Sequence, residues 1–141
     1  MEQYNWKKQR KEMVEKQLVK REITDKAILQ AFGEVPRHKF IPQEYKKYSY
    51  SDRPLPIAEN QTISQPYIVA AMIKEMEINS DDSVLEIGIG SGYAAAILSK
   101  IVKTVFGVEM HQDLVNQAKN RLSNLGYKNI EIKQGDGTKG W

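Results

Sequence analysis

The chain has 141 residues, of which 40% are hydrophobic, 28% charged and 9% aromatic, the profile of one soluble globular domain rather than two. Glycine and proline together contribute fourteen residues and cysteine none, which excludes collagenous and low-complexity chains, disulfide frameworks, thiolate zinc sites and cysteine nucleophiles. The net charge is only +3, no apolar run approaches the roughly 18 residues of a membrane span, and the charged start MEQYNWKKQRKEM lacks a secretory apolar stretch, so a cytoplasmic location without membrane contact is expected.

The charge excess lies in residues 1–26, with eight Lys and Arg against five acids, while thirteen of each balance beyond them. Glu12, Glu15 and Glu22 are interleaved with these cations at helical spacing, which predicts a solvated face with local ion pairs and no nucleic-acid stripe. Trp6, Met13, Val14, Leu18 and Val19 recur on one stripe and predict an amphipathic helix over residues 4–21. Thr24 as N-cap, Ile28, Ala31 and Phe32 on one face, and Gly33 as the stop predict a short second helix. Residues 36–60 mix Pro36, Pro42, Pro54 and Pro56 with Phe40, Tyr45, Tyr48 and Tyr50, a loop-rich region with one short helical turn near Glu44.

Ser64, ahead of Gln65 and Pro66, reads as the N-cap of a helix whose apolar face, Ile68, Val69, Met72, Ile73 and Met76, extends to about Glu77. After a polar turn come a buried strand (83–87), a glycine loop (88–92), a helix (93–102), a strand (104–109), a helix (112–125) closed by Gly126, and a strand (129–133). This order is the N-terminal βαβαβ half of an α/β, Rossmann-like doubly wound sheet. Residues 1–78 form the preceding helical and loop segment, and 79–141 the sheet half, of one incomplete domain. In the usual strand order 3-2-1-4-5 the strand 83–87 is central, yet here it would be an edge. Unless the N-terminal segments cover it, such an edge invites self-association.

Gly88, Gly90 and Gly92 stand where backbone can approach a ligand and a helix N-terminus offers free N–H groups. Tyr93 occupies the place of the third glycine of a dinucleotide fingerprint, so pyrophosphate readout is disfavoured, and no Gly-Lys-Ser/Thr follows to make a P-loop. Glu86 lies near the end of the first strand. Glu109 closes the second, where a carboxylate can accept ribose hydroxyls. Asp136, between Gly135 and Gly137 after the third strand, would face the same crevice. His38 and His111 leave little for a metal site and read as surface or packing residues.

The runs E-I-G-I-G-S-G (86–92), Glu109 and G-D-G (135–137) resemble the S-adenosyl-L-methionine site of class I methyltransferases. V-P-R-H-K-F-I-P (35–42), D-R-P-L-P-I (52–57) and Q-T-I-S-Q-P-Y (61–67), ahead of the glycine loop, more specifically resemble the protein-L-isoaspartate O-methyltransferase family. That resemblance implies methyl transfer from S-adenosyl-L-methionine to the carboxylate of L-isoaspartyl residues in damaged proteins. It assigns Ser64 to the active site and Gln61, Thr62 and Ile63 to the cofactor's side. It further implies that Glu86, Gly88 and Gly90 line the methionine moiety, Glu109 holds the ribose, and Asp136 with Gly137 sits by the adenine. A carboxylate with an ordinary pKa near 3.9 is already ionised at neutral pH, so the absence of a base or nucleophile constellation is expected. Members of the family continue well beyond G-D-G, so the chain is expected to be a fragment that keeps most cofactor contacts and lacks part of the substrate site. The other readings are a methyltransferase for a different acceptor and a non-catalytic binding or interaction module.

Overall fold

A computed structural model describes residues 4–141. The first predicted helix forms, but not as one regular coil. Helix α1 (Trp6–Met13), capped by the Asn5 side chain, passes into a π turn (Val14–Leu18) and a 3-10 turn (Val19–Arg21) that ends at left-handed Glu22. The wide turn brings Met13 and Leu18, five residues apart, into the core together and turns Val19 out to solvent. Helix α2 (Lys26–Glu34) is capped by Asp25, whose carboxylate accepts from the N–H groups of Ala27 and Ile28, and not by Thr24. It runs one residue past Gly33 and buries Ile28, Ala31 and Phe32.

The proline-rich segment folds into two 3-10 turns (Arg37–Phe40 and Gln43–Tyr48) and a small antiparallel hairpin, β1 (Leu55–Pro56) and β2 (Thr62–Ile63). Helix α3 (Pro66–Met76) starts with proline in its first turn, and its N-cap is Gln65 rather than Ser64. Three parallel strands follow in the order β3 (Ser83–Ile87), β4 (Thr104–Glu109) and β5 (Ile130–Gln134). They are joined by α4 (Tyr93–Ser99), shorter than predicted, and α5 (Gln112–Asn124). One apolar core joins both parts of the chain, with Tyr93 at the start of α4 meeting Phe32 and Phe40 edge-on.

The N-terminal elements therefore pack on α4 and leave the edge of the sheet open. Among the described residues strand β3 pairs only with β4, and Leu85, Ile87, Met72 and Met76 stay exposed around a groove of about 350 Å³ between α3 and β3. Among the described residues no helix is long and apolar enough to cross a membrane, and no cluster of His, Cys, Asp or Glu could hold a metal ion.

Candidate active site

The site begins with a close approach. A Cβ on Gly107, in the middle of β4, would lie 2.1 Å from Ile89 Cδ1. Only a glycine there lets Ile89 drop onto the sheet and anchor the loop that carries it. Within that loop Gly88, Gly90 and Gly92 all have positive φ (82°, 56° and 91°), a path that side-chain-bearing residues rarely follow. Glu109 is buried at the end of β4 and grips the loop. Its Oε1 accepts the N–H of Gly90 at 2.9 Å, and its Oε2 accepts the N–H of His111, also at 2.9 Å. The carboxylate thus ties the glycine loop to the entry of α5 by two charge-assisted bonds.

Beside it Glu86 is half-buried, and its Oε1 is buried without a hydrogen-bond partner among the described residues. Burial, and secondarily the negative charge of Glu109, push this carboxyl up to about 8. An orphaned acid of this kind suits a cation or a hydrogen-bond donor. It opens on a cavity of about 90 Å³ that Thr62, Ile63, Ser64, Gly88 and Gly90 also line. The T-I-S run and the glycine loop, more than twenty residues apart, are therefore two walls of one cavity. Ser64 is exposed and borders both this cavity and the α3/β3 groove. Its hydroxyl makes no hydrogen bond among the described residues, while its backbone carbonyl accepts from Arg37 Nη2 at 3.0 Å.

Other expected site residues do not line this cavity. Gln61 is exposed on the hairpin, where its Nε2 donates to the Glu59 carbonyl. Gly92 packs beneath α5, where an added Cβ would lie 3.3 Å from Leu122. Asp136 is exposed and caps a short 3-10 turn (Gly137–Lys139), its Oδ1 accepting from the backbone N–H and the hydroxyl of Thr138. Gly137 nevertheless approaches the end of β3, for a Cβ there would lie 2.2 Å from Ile87. The ends of β3 and β5 are in this way brought to one side of the sheet. His38 is a core residue, stacked on Trp6 and bonded through Nδ1 to the Tyr50 hydroxyl. Burial, with nearby Lys39, Arg10 and Lys46, lowers its pKa to about 4, so it is neutral at physiological pH.

The family model described as protein-L-isoaspartate(D-aspartate) O-methyltransferase matches residues 8–141. The chain belongs to this family. A protein-L-isoaspartate O-methyltransferase of Petrotoga mobilis is 50% identical over 137 residues, which are 97% of this chain and 64% of that one. A second, from Pelobacter propionicus, is 52% identical over 97% of this chain and 61% of its own length. The chain thus spans less than two thirds of these relatives. Among solved structures, a protein-L-isoaspartate O-methyltransferase superposes with TM-score 0.81 at 31% identity, covering 91% of this chain and 42% of the other. A Plasmodium falciparum protein assigned to the same enzyme class, solved with S-adenosyl-L-homocysteine, superposes with TM-score 0.73 at 26% identity over 88% of this chain and 62% of its own. The Rossmann-like α/β fold of this protein-L-isoaspartate O-methyltransferase family member follows from the same likenesses. Ser91 and Tyr93 also line the cavity, which their places in the sequence do not signal. The signal for Arg37 is the run V-P-R-H-K-F-I-P itself, which resembles the family.

Proposed function

We propose that the chain belongs to an enzyme that methylates the side-chain carboxylate of L-isoaspartyl residues in damaged proteins, using S-adenosyl-L-methionine. The observation that supports this most directly is the orphaned Oε1 of Glu86 facing a cavity walled by the T-I-S turn and the glycine loop. These residues fit the cofactor. Glu86 would receive the ammonium of its methionine moiety, Gly88 and Gly90 would let it approach the backbone, and Thr62 and Ile63 would flank it. Each Glu109 oxygen already accepts one N–H and retains a second lone pair for a ribose hydroxyl. Asp136, whose Oδ1 is engaged, keeps Oδ2 for the adenine side. The chemistry such a cofactor supplies is methyl donation: a carboxylate oxygen gains the methyl, the carbon–sulfur bond breaks, and S-adenosyl-L-homocysteine is left with no proton to move. What the protein contributes is alignment, with Ser64 the group that would touch the acceptor carboxylate.

Calorimetric titration of the chain with S-adenosyl-L-methionine, with NAD as control, tests the reading. Selective, saturable binding is expected, and equal binding of NAD, or none of either by a folded sample, counts against it. An isoaspartyl peptide compared with its aspartyl twin separates this acceptor from others. On a separate observation, the open β3 edge with exposed Leu85 and Ile87, we propose that the chain self-associates through this edge. Its sedimentation mass should rise with concentration and fall back in Ile87→Lys, whereas a constant monomer mass would dispose of the idea.

A further inference from the structure

Arg37 is fully buried, yet no carboxylate among the described residues pairs with it. Its guanidinium is held by other groups instead. Nε donates to the Ser49 carbonyl at 2.7 Å, Nη2 donates to the Ser64 carbonyl at 3.0 Å, and the plane lies 4.8 Å from the centre of the Tyr93 ring. Among the described residues neither Nη1 nor the buried Tyr93 hydroxyl has a hydrogen-bond partner within 3.5 Å, though the two groups interact electrostatically with each other. Burial without a counter-ion is the costliest way to keep a cation, and a core position filled only for packing is better served by an apolar side chain. What the arginine does here is geometric. Tyr93 is the first residue of α4, directly after the glycine loop, and Ser64 is the end of the T-I-S turn. A rigid, planar fork spans the two, and Ser49, itself fully buried, holds its third side.

We propose that Arg37 is a positioning residue, which fixes the Ser64 turn against the start of α4 and so sets the distance between the acceptor-side serine and the glycine loop. The inference rests on the methyltransferase reading for its purpose, though not for its geometry. It gives V-P-R-H-K-F-I-P a task at the site without any contact to a ligand. The lysine variant keeps the charge and loses the fork.

The test uses Arg37→Lys and Arg37→Gln in the whole chain, the second variant also removing the buried charge. Amide hydrogen exchange is expected to speed at least tenfold in residues 61–67 in both, while the amides of β3, β4 and β5 keep their wild-type rates. Affinity for S-adenosyl-L-homocysteine should stay within about threefold, and kcat for an isoaspartyl peptide should fall at least tenfold with KM for the cofactor unchanged. Wild-type exchange rates in 61–67, a uniform rise along the chain, or loss of fold in both variants would make Arg37 a core residue and overturn the proposal. A wild-type chain that binds no S-adenosyl-L-homocysteine removes the cofactor-site reading instead, and the exchange measurement still decides the role of Arg37.

Discussion

Binding of S-adenosyl-L-homocysteine at pH 7 is expected to release close to one proton per site, and Glu86→Gln is expected to abolish the release. In the free chain burial and the neighbouring Glu109 push the Glu86 carboxyl up to about 8, so it is mostly protonated at neutral pH. The ligand's ammonium placed against the orphaned Oε1 favours the carboxylate, and the proton leaves. Affinity should therefore tighten by roughly tenfold per pH unit on the way up to the free-chain pKa and level off above it. Calorimetry in buffers of different ionisation enthalpy counts the proton. A count near zero, or one that persists in the glutamine variant, would take Glu86 out of the cation-holding role.

The same group makes the ligand-free chain less stable in base. The folded pKa of about 8 lies above the ordinary 4.5, so the stability that Glu86 contributes is complete below the lower value and is lost as pH rises through the upper one. Glu86→Gln cannot ionise. It should melt above the wild type at pH 8, by about 2 kcal/mol after allowance for the solvent reaching a half-buried side chain, and the gap should close towards pH 5.

In a full-length context Ser64→Ala is expected to lower methyl transfer to an isoaspartyl peptide about a hundredfold, the scale of loss when a reacting group is misplaced by about 1 Å. Stability and S-adenosyl-L-homocysteine affinity should hardly change. The residue in the N-cap position of α3 is Gln65, and the Ser64 hydroxyl has no partner among the described residues to lose. A capping serine would instead cost about 1 kcal/mol, or roughly 3–5 °C in Tm for a chain of this size. A drop of that size with near-normal transfer would return Ser64 to a structural role.

The parallel sheet and its glycine loop were legible because their signals are local. Short apolar runs mark β3, which Gly88 follows, and β4, and a 3.6-residue stripe marks α5, whatever the rest of the chain does. Where two neighbouring residues could serve one local function, the reading slipped by a position. Asp25 caps α2 in place of Thr24 because its carboxylate meets two N–H groups at once. At α3 the chain is still extended at Gln65, which moves the cap one residue past Ser64. The π turn at Val14–Leu18 was not legible, since the core into which Met13 and Leu18 are drawn includes distant elements such as α3. Nor was the short hairpin β1–β2, whose register rests on only two residue pairs.

At the site, the amino-acid order by itself determined which residues are candidates: Ser64 in T-I-S, Glu86 and the glycines at the end of one strand, and Glu109 at the end of the next. Family membership was carried by those same short runs. Only the tertiary structure decided that the Glu109 carboxylate grips Gly90 and His111, that an oxygen of Glu86 is left without a partner, and that Gly92 serves packing under α5. It alone showed Arg37 spanning the Ser64 turn and Tyr93. The reason is physical. A strand or a helix is specified by neighbours along the chain, whereas burial and a hydrogen bond across 27 residues exist only once distant segments have packed and left no periodic trace in the residues that make them.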